Sequence, residues 1–136
     1  MGNFIVMNLD IQWVWLDDIT IYMLAKAQGS LDVDAFIELL RHVGESFAVL
    51  DGDAIIDLRQ ARWDFDNSAT NAIAAGFPKS GLPMDNKIAL VCSRDIDHYG
   101  QLLVIASGAS NRGFRVRAFY DPDGALKWLR EQWNDC

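Results

Sequence analysis

Two strand-like runs, Ile88 to Cys92 and Arg115 to Phe119, flank a segment of helical period and constrain the fold more than any other feature of the chain. Strand, helix and strand in such close succession form a crossover unit, and crossovers join parallel strands. The whole stretch from Asn86 to Gln132, NKIALVCSRDIDHYGQLLVIASGASNRGFRVRAFYDPDGALKWLREQ, continues the alternation with a further helix. The spacing predicts a helix from about Asp95 to Asn111 with Tyr99, Leu102, Leu103 and Ala106 on one side, stopped by Asn111-Arg112-Gly113. Asp121-Pro122 then starts the last helix, since an acceptor side chain suits the cap and the proline ring suits the first helical position. Ala125, Leu126, Leu129 and Trp133 form its packing stripe.

The upstream half supplies the rest of a sheet. From Ile11 to Ala27 aromatic and branched residues alternate with polar ones, and Asp17-Asp18 interrupts them where a hairpin turn belongs. Trp13 and Trp15 fall on one face of the first strand, and Ile19, Ile21 and Met23 on one face of the second. Gly29-Ser30 leads into a helix with Asp32 and Asp34 in its first turn, a buried stripe of Phe36, Leu39, Leu40 and Val43, and Gly44 placed to end it. After the turn Asp51-Gly52-Asp53, the run Ala54 to Leu58 reads as a central strand. Asp66, Asn67 or Ser68 is placed to cap a short helix ending near Gly76, and the segment FPKSGLPMDN reads as a loop. The expected fold is α/β: a mixed, mainly parallel sheet of about five strands with helices packed on it.

At 136 residues the chain is expected to form one domain, because a chain of about 150 residues buries roughly 70% of its unfolded surface. A formal charge of −7 argues against nucleic acid or an anionic membrane as the main partner. The start MGNFIVMNLD has no basic region before its apolar run, Val6 stands where acylation of Gly2 needs Ser or Thr, and no stretch approaches a membrane span. A cytoplasmic protein is the expectation. Cys92, in a strand expected to be buried, and Cys136 read as reduced thiols without a partner.

Few constellations carry chemistry. His42 and His98 fall on different helices without Cys or His at ligand spacing, so no metal and no cofactor is expected. GASNRG, from Gly108 to Gly113, ends a helix and lacks the Lys-Ser/Thr pair of a phosphate loop, and no Gly-x-Ser-x-Gly elbow is present. Parallel sheets meet ligands and partners at the carboxyl ends of their strands. That places Asp57, Arg59, Asp64, Asp66, Ser68, Arg94 and Asp95 on one expected rim, although Asp66, Ser68, Ser93 and Asp95 at helix starts are also natural capping residues.

AIIDLRQA, KIALVCS and GFRVRAFYDPDGALKWL together resemble the SpoIIAA-like branch of the STAS family, over about Ile19 to Trp133. The resemblance implies a small regulatory, non-enzymatic module that binds a protein partner. In anti-sigma-factor antagonists of that family a serine in an Asp-Ser-Ser-Gly loop is phosphorylated. Here the stretch is Asp66-Asn67-Ser68-Ala69, so Asn67 takes the place of the phosphorylated serine and Ser68 aligns with the second. Ser68 is therefore the candidate for modification. An alternative, from related proteins of the same shape, is a carrier of an apolar ligand in a pocket lined by Phe4, Trp13, Trp15, Phe65 and Phe77. A hydrolase, with Ser or Cys near His42 or His98, ranks last. Edge-to-edge pairing of the Trp-rich first strands would give a homodimer.

Overall fold

The computed structural model describes residues 7–48 and 51–131; Phe4, Trp133 and Cys136 lie outside them. Strands β1 (Met7–Trp15) and β2 (Ile21–Ser30) form the expected antiparallel hairpin, with Trp13 opposite Met23 and Trp15 opposite Ile21. Asp17 closes the turn by accepting from the N–H groups of Ile19 at 2.9 Å and Thr20 at 2.8 Å.

Helix α1 (Val33–Ser46) is capped by Asp32, whose carboxylate accepts from Ala35 N–H at 2.7 Å. Phe36, Leu39, Leu40 and Val43 are fully buried, each such side chain stabilising the fold by about 1.5–3 kcal/mol. Gly44 does not end the helix, which runs on to Ser46. Its role is close approach: a Cβ there would lie 2.0 Å from the carbonyl oxygen of Ser80.

Strand β3 (Asp53–Arg62) runs parallel to β2 and outlasts the apolar run Ala54 to Leu58, because β2 offers partners as far as the Ser30–Arg62 pair. Between Lys26–Asp57 and Gln28–Gln60, β3 contributes one residue more than β2. This bulge turns both Leu58 and Ala61 into the main core. Helix α2 (Asn67–Ala75) follows, capped by Asp66 and ended by Gly76, and a single 3-10 turn (Phe77–Lys79) leads towards β4 (Lys87–Val91).

Helix α3 (Ile96–Ser110) buries Leu102, Ile105, Ala106 and Ala109. Leu103, expected inside, is 46% exposed: the i, i+3, i+4, i+7 stripe starts at Leu102, so Leu103 falls outside it. Strand β5 (Arg115–Phe119) pairs parallel to β4, and α4 (Pro122–Arg130) closes the chain on its Asp121 cap.

The sheet order is β1-β2-β3-β4-β5, one antiparallel pair followed by three parallel ones, which is the mixed α/β architecture expected. Successive crossovers in one direction put α1, α2 and α3 on one face, where Met23, Ile56, Leu90 and Leu102 share the main core. The other face holds a smaller cluster of Ile55, Ala89 and Val91 under Ala125, Trp128 and Leu129 of α4. Among the described residues, no helix is long and apolar enough to cross a membrane.

Candidate functional site

The two helices that leave neighbouring strands, α2 and α3, start side by side, and an open groove of about 750 Å³ lies between them. The backbone between β3 and α2 forms its floor. The sequence Trp63-Asp64-Phe65-Asp66 continues strand-like alternation past the end of β3, so the aromatic rings turn inward and the carboxylates outward. Trp63 and Phe65 stack at 6.0 Å with planes 11° apart, and Phe36 meets both edge-on from α1.

Helix α3 ties itself to that floor. Gln101 accepts from Trp63 Nε1 at 2.8 Å and donates to the Phe65 carbonyl at 2.9 Å and to Asn67 Oδ1 at 3.2 Å. His98 lies over Trp63 with ring centroids 4.2 Å apart, and its Nε2 is 3.0 Å from the Trp63 carbonyl oxygen. Because a carbonyl only accepts, Nε2 carries the hydrogen and donates. These bonds link the segment after β3 to α2 and α3.

Both helix starts use aspartate caps. Asp66 accepts from Ser68 Oγ at 2.6 Å and from the N–H groups of Ser68 and Ala69, bonds that hold its carboxyl below the usual range. Asp95 accepts from the N–H groups of His98 and Asp97, which lower its pKa in the same way. Ser68 is exposed with its hydroxyl given to Asp66. Asp64 stands exposed at the groove mouth.

The remaining residues expected on that rim lie elsewhere. Asp57 and Arg59 are strand residues of β3 rather than loop residues, and alternation with the core residues Ile56 and Leu58 turns Asp57 to the α4 face. There Arg59 grips Asp57 through two bonds, Nε to Oδ1 at 2.9 Å and Nη2 to Oδ2 at 2.8 Å, beside Lys26 in a cavity of about 130 Å³. Burial raises the Asp57 pKa, but the Arg59 guanidinium and N–H outweigh it, so the net shift is downward. The sheet therefore separates this pair from Asp64, Asp66, Ser68 and Asp95. Arg94 forms a third group, stacked over Tyr120 at 5.1 Å, while Tyr99 meets Tyr120 edge-on.

The aromatic residues expected to line an apolar pocket do not converge. Phe77 is fully buried against Phe114, Trp13 packs edge-on against Phe47, and Trp15 is 68% exposed. Phe65 lines the groove; Trp13, Trp15 and Phe77 do not. Strand alternation gives the face of each residue but not the depth of what covers it, and that is why these four dispersed.

Trp63, His98 and Gln101 went unread in the sequence as site residues. The available signals were the WDFD alternation and the three-residue spacing of His98 and Gln101, which sets both on the α3 face turned to α2.

The five-stranded mixed sheet, with three helices on one face and one on the other, has a SpoIIAA-like fold. Its solved counterparts include an uncharacterized protein of the DUF3478 family with a SpoIIAA-like fold from Shewanella loihica PV-4, at TM-score 0.52 and 16% identity over 95% of this chain and 98% of that one. An anti-sigma factor antagonist from Mycobacterium paratuberculosis matches at TM-score 0.57 and 16% identity, over 92% of this chain and 95% of that one. At such identity the likeness shows the fold. No protein-family model matches the sequence, and no curated protein does.

Proposed function

We propose that this chain is a non-catalytic regulatory module that engages a protein partner through the groove at the starts of α2 and α3. The observation that carries this reading is the groove itself: open, about 750 Å³, floored by stacked aromatics and braced by hydrogen bonds from Gln101 and His98. Rigid, partly aromatic concavities with a polar margin suit protein recognition, because little ordering cost is left for binding. That an anti-sigma factor antagonist shares the fold supports the same reading. Cys92, a nucleophile by residue type, is buried with its thiol pushed up to about 11, chiefly by burial, which leaves it inert.

Ser68 does not line the groove but follows Asn67, which does, and phosphorylation there is the natural off signal. A phosphate would replace the 2.6 Å bond to Asp66 with repulsion between two anions and loosen the first turn of α2.

Photo-cross-linking in the native cells tests the reading, with the photoreactive residue placed at Asn71 in the groove or at Asp123 on α4 as a control. The expected result is one protein product from position 71 and none from 123. Equal products from both, no product from 71, or a small apolar molecule retained in native mass spectrometry would overturn it.

A further inference from the structure

We infer that the groove selects a basic segment of its protein partner, one that carries Lys or Arg beside a large apolar side chain. This inference rests on the groove being the interaction site. Three carboxylates line it, Asp64, Asp95 and Asp97, and neither Lys nor Arg does. Asp95 has one oxygen committed to its cap, whereas Asp64 and Asp97 are exposed and have no partner for their carboxylates among the described residues. Carboxylates fixed at the margin of a concavity raise the local concentration of cations and repel anions. On the opposite face of the sheet, by contrast, Asp57 is paired with Arg59 and flanked by Lys26, so that carboxylate is already compensated.

The same wall supplies the apolar half of the recognition. Ile96 and Val104 line the groove and are 80% and 48% exposed, unusual for large aliphatic residues on a protein that buries its other helices' stripes well. They stand eight residues apart on α3, about 12 Å along its axis, which matches roughly two turns of a docked helix or four residues of extended chain. A partner segment that seats an apolar side chain against Ile96 or Val104 brings neighbouring Lys or Arg heads to Asp64 and Asp97. An acidic segment of the same shape meets uncompensated carboxylates.

The test uses the isotopically labelled full chain and two 14-residue amphipathic peptides, one of Leu, Lys and Arg and its counterpart of Leu and Glu. Amide shifts are followed at low and high salt. The basic peptide is expected to shift amides of 63–71 and 95–104, with affinity falling as salt rises, while the acidic peptide leaves them unmoved. Asp64→Asn with Asp97→Asn together should weaken binding about tenfold at low salt, while Asp34→Asn with Asp123→Asn leaves it unchanged. Equal binding of both peptides, shifts scattered elsewhere, or an unaffected Asp64→Asn, Asp97→Asn variant would sink the inference. Groove shifts that appear on raising the protein concentration without peptide would assign the site to a second copy of this chain and overturn it as well. If the partner segment cross-linked at position 71 carries no Lys or Arg, the interaction reading stands and this inference falls.

Discussion

Lys87 Nζ donates to the carbonyl oxygen of Trp128 at 2.8 Å from beneath, reaching from the start of β4 to the last turn of α4. A second bond, 2.6 Å long, goes to the Glu131 carbonyl, and the ammonium lies 5.6 Å from the centre of the Trp128 ring. The C-terminal carbonyls of a helix lack intrahelical donors, so one buried cation both satisfies them and complements the helix dipole. Replacing Lys87 with Met keeps the aliphatic stem and removes the charge. We expect a loss of about 2–3 kcal/mol in urea unfolding, with amide exchange accelerated first in α4.

Gly44 and Gly100 should respond oppositely to alanine although both lie inside helices. A Cβ at Gly44 meets the Ser80 carbonyl oxygen at 2.0 Å, so Gly44→Ala should cost about 3 kcal/mol by forcing α1 away from the loop before β4. Around Gly100 nothing lies within 4 Å, and Gly100→Ala should stabilise by about 0.5–1 kcal/mol through helix propensity alone. Paired denaturation curves check both signs.

Acid should find the Asp57–Arg59 pair. Because the folded pKa of Asp57 lies below its ordinary value, near 3.9, the unfolded chain takes up this proton first as pH falls. The stability the pair supplies is thus fully present above the unfolded value and is lost as pH drops through the folded one. Asp57→Asn should cost about 1 kcal/mol at pH 7 and show a shallower decline than the parent below pH 4. A slope that Asp57→Asn leaves unchanged would locate the acid sensitivity elsewhere.

Cys92 should resist alkylation in the folded chain. Its thiol, raised to about 11 by burial and by the nearby Asp95 charge, holds almost no thiolate at pH 8. Peptide mapping after iodoacetamide treatment should find Cys92 unmodified in buffer and fully modified once urea has unfolded the chain.

How much of this was legible depended on the range of each interaction. Caps and turns are local, so Asp17 and Asp121 announced their elements, Asp66 was one of three adjacent candidates for its cap, and the α1 stripe was read residue by residue. Gly44 misled because a helix stop and a tight crossing call for the same amino acid. The Asp57–Arg59 pair lies off the expected rim because alternation turns Asp57 to the α4 face and β3 runs on past it through a bulge and three further paired residues, Gln60, Ala61 and Arg62, which depend on β2. The groove was only half readable: its Asp64 and Asp95 were anticipated, whereas Trp63, His98 and Gln101 become site residues through contacts 35 and 38 positions apart. Period and propensity carry no information at that distance.

The sheet's strand order repeats the order of the chain, with each strand beside its predecessor. Nothing has to be threaded between neighbours already in place. A chain leaving the ribosome can lay down the hairpin and then append β3, β4 and β5 in turn to the one growing edge. At each stage the edge left by the newest strand is the site that the next one occupies, so synthesis itself covers that edge in turn, while β1 stays at the other end of the order.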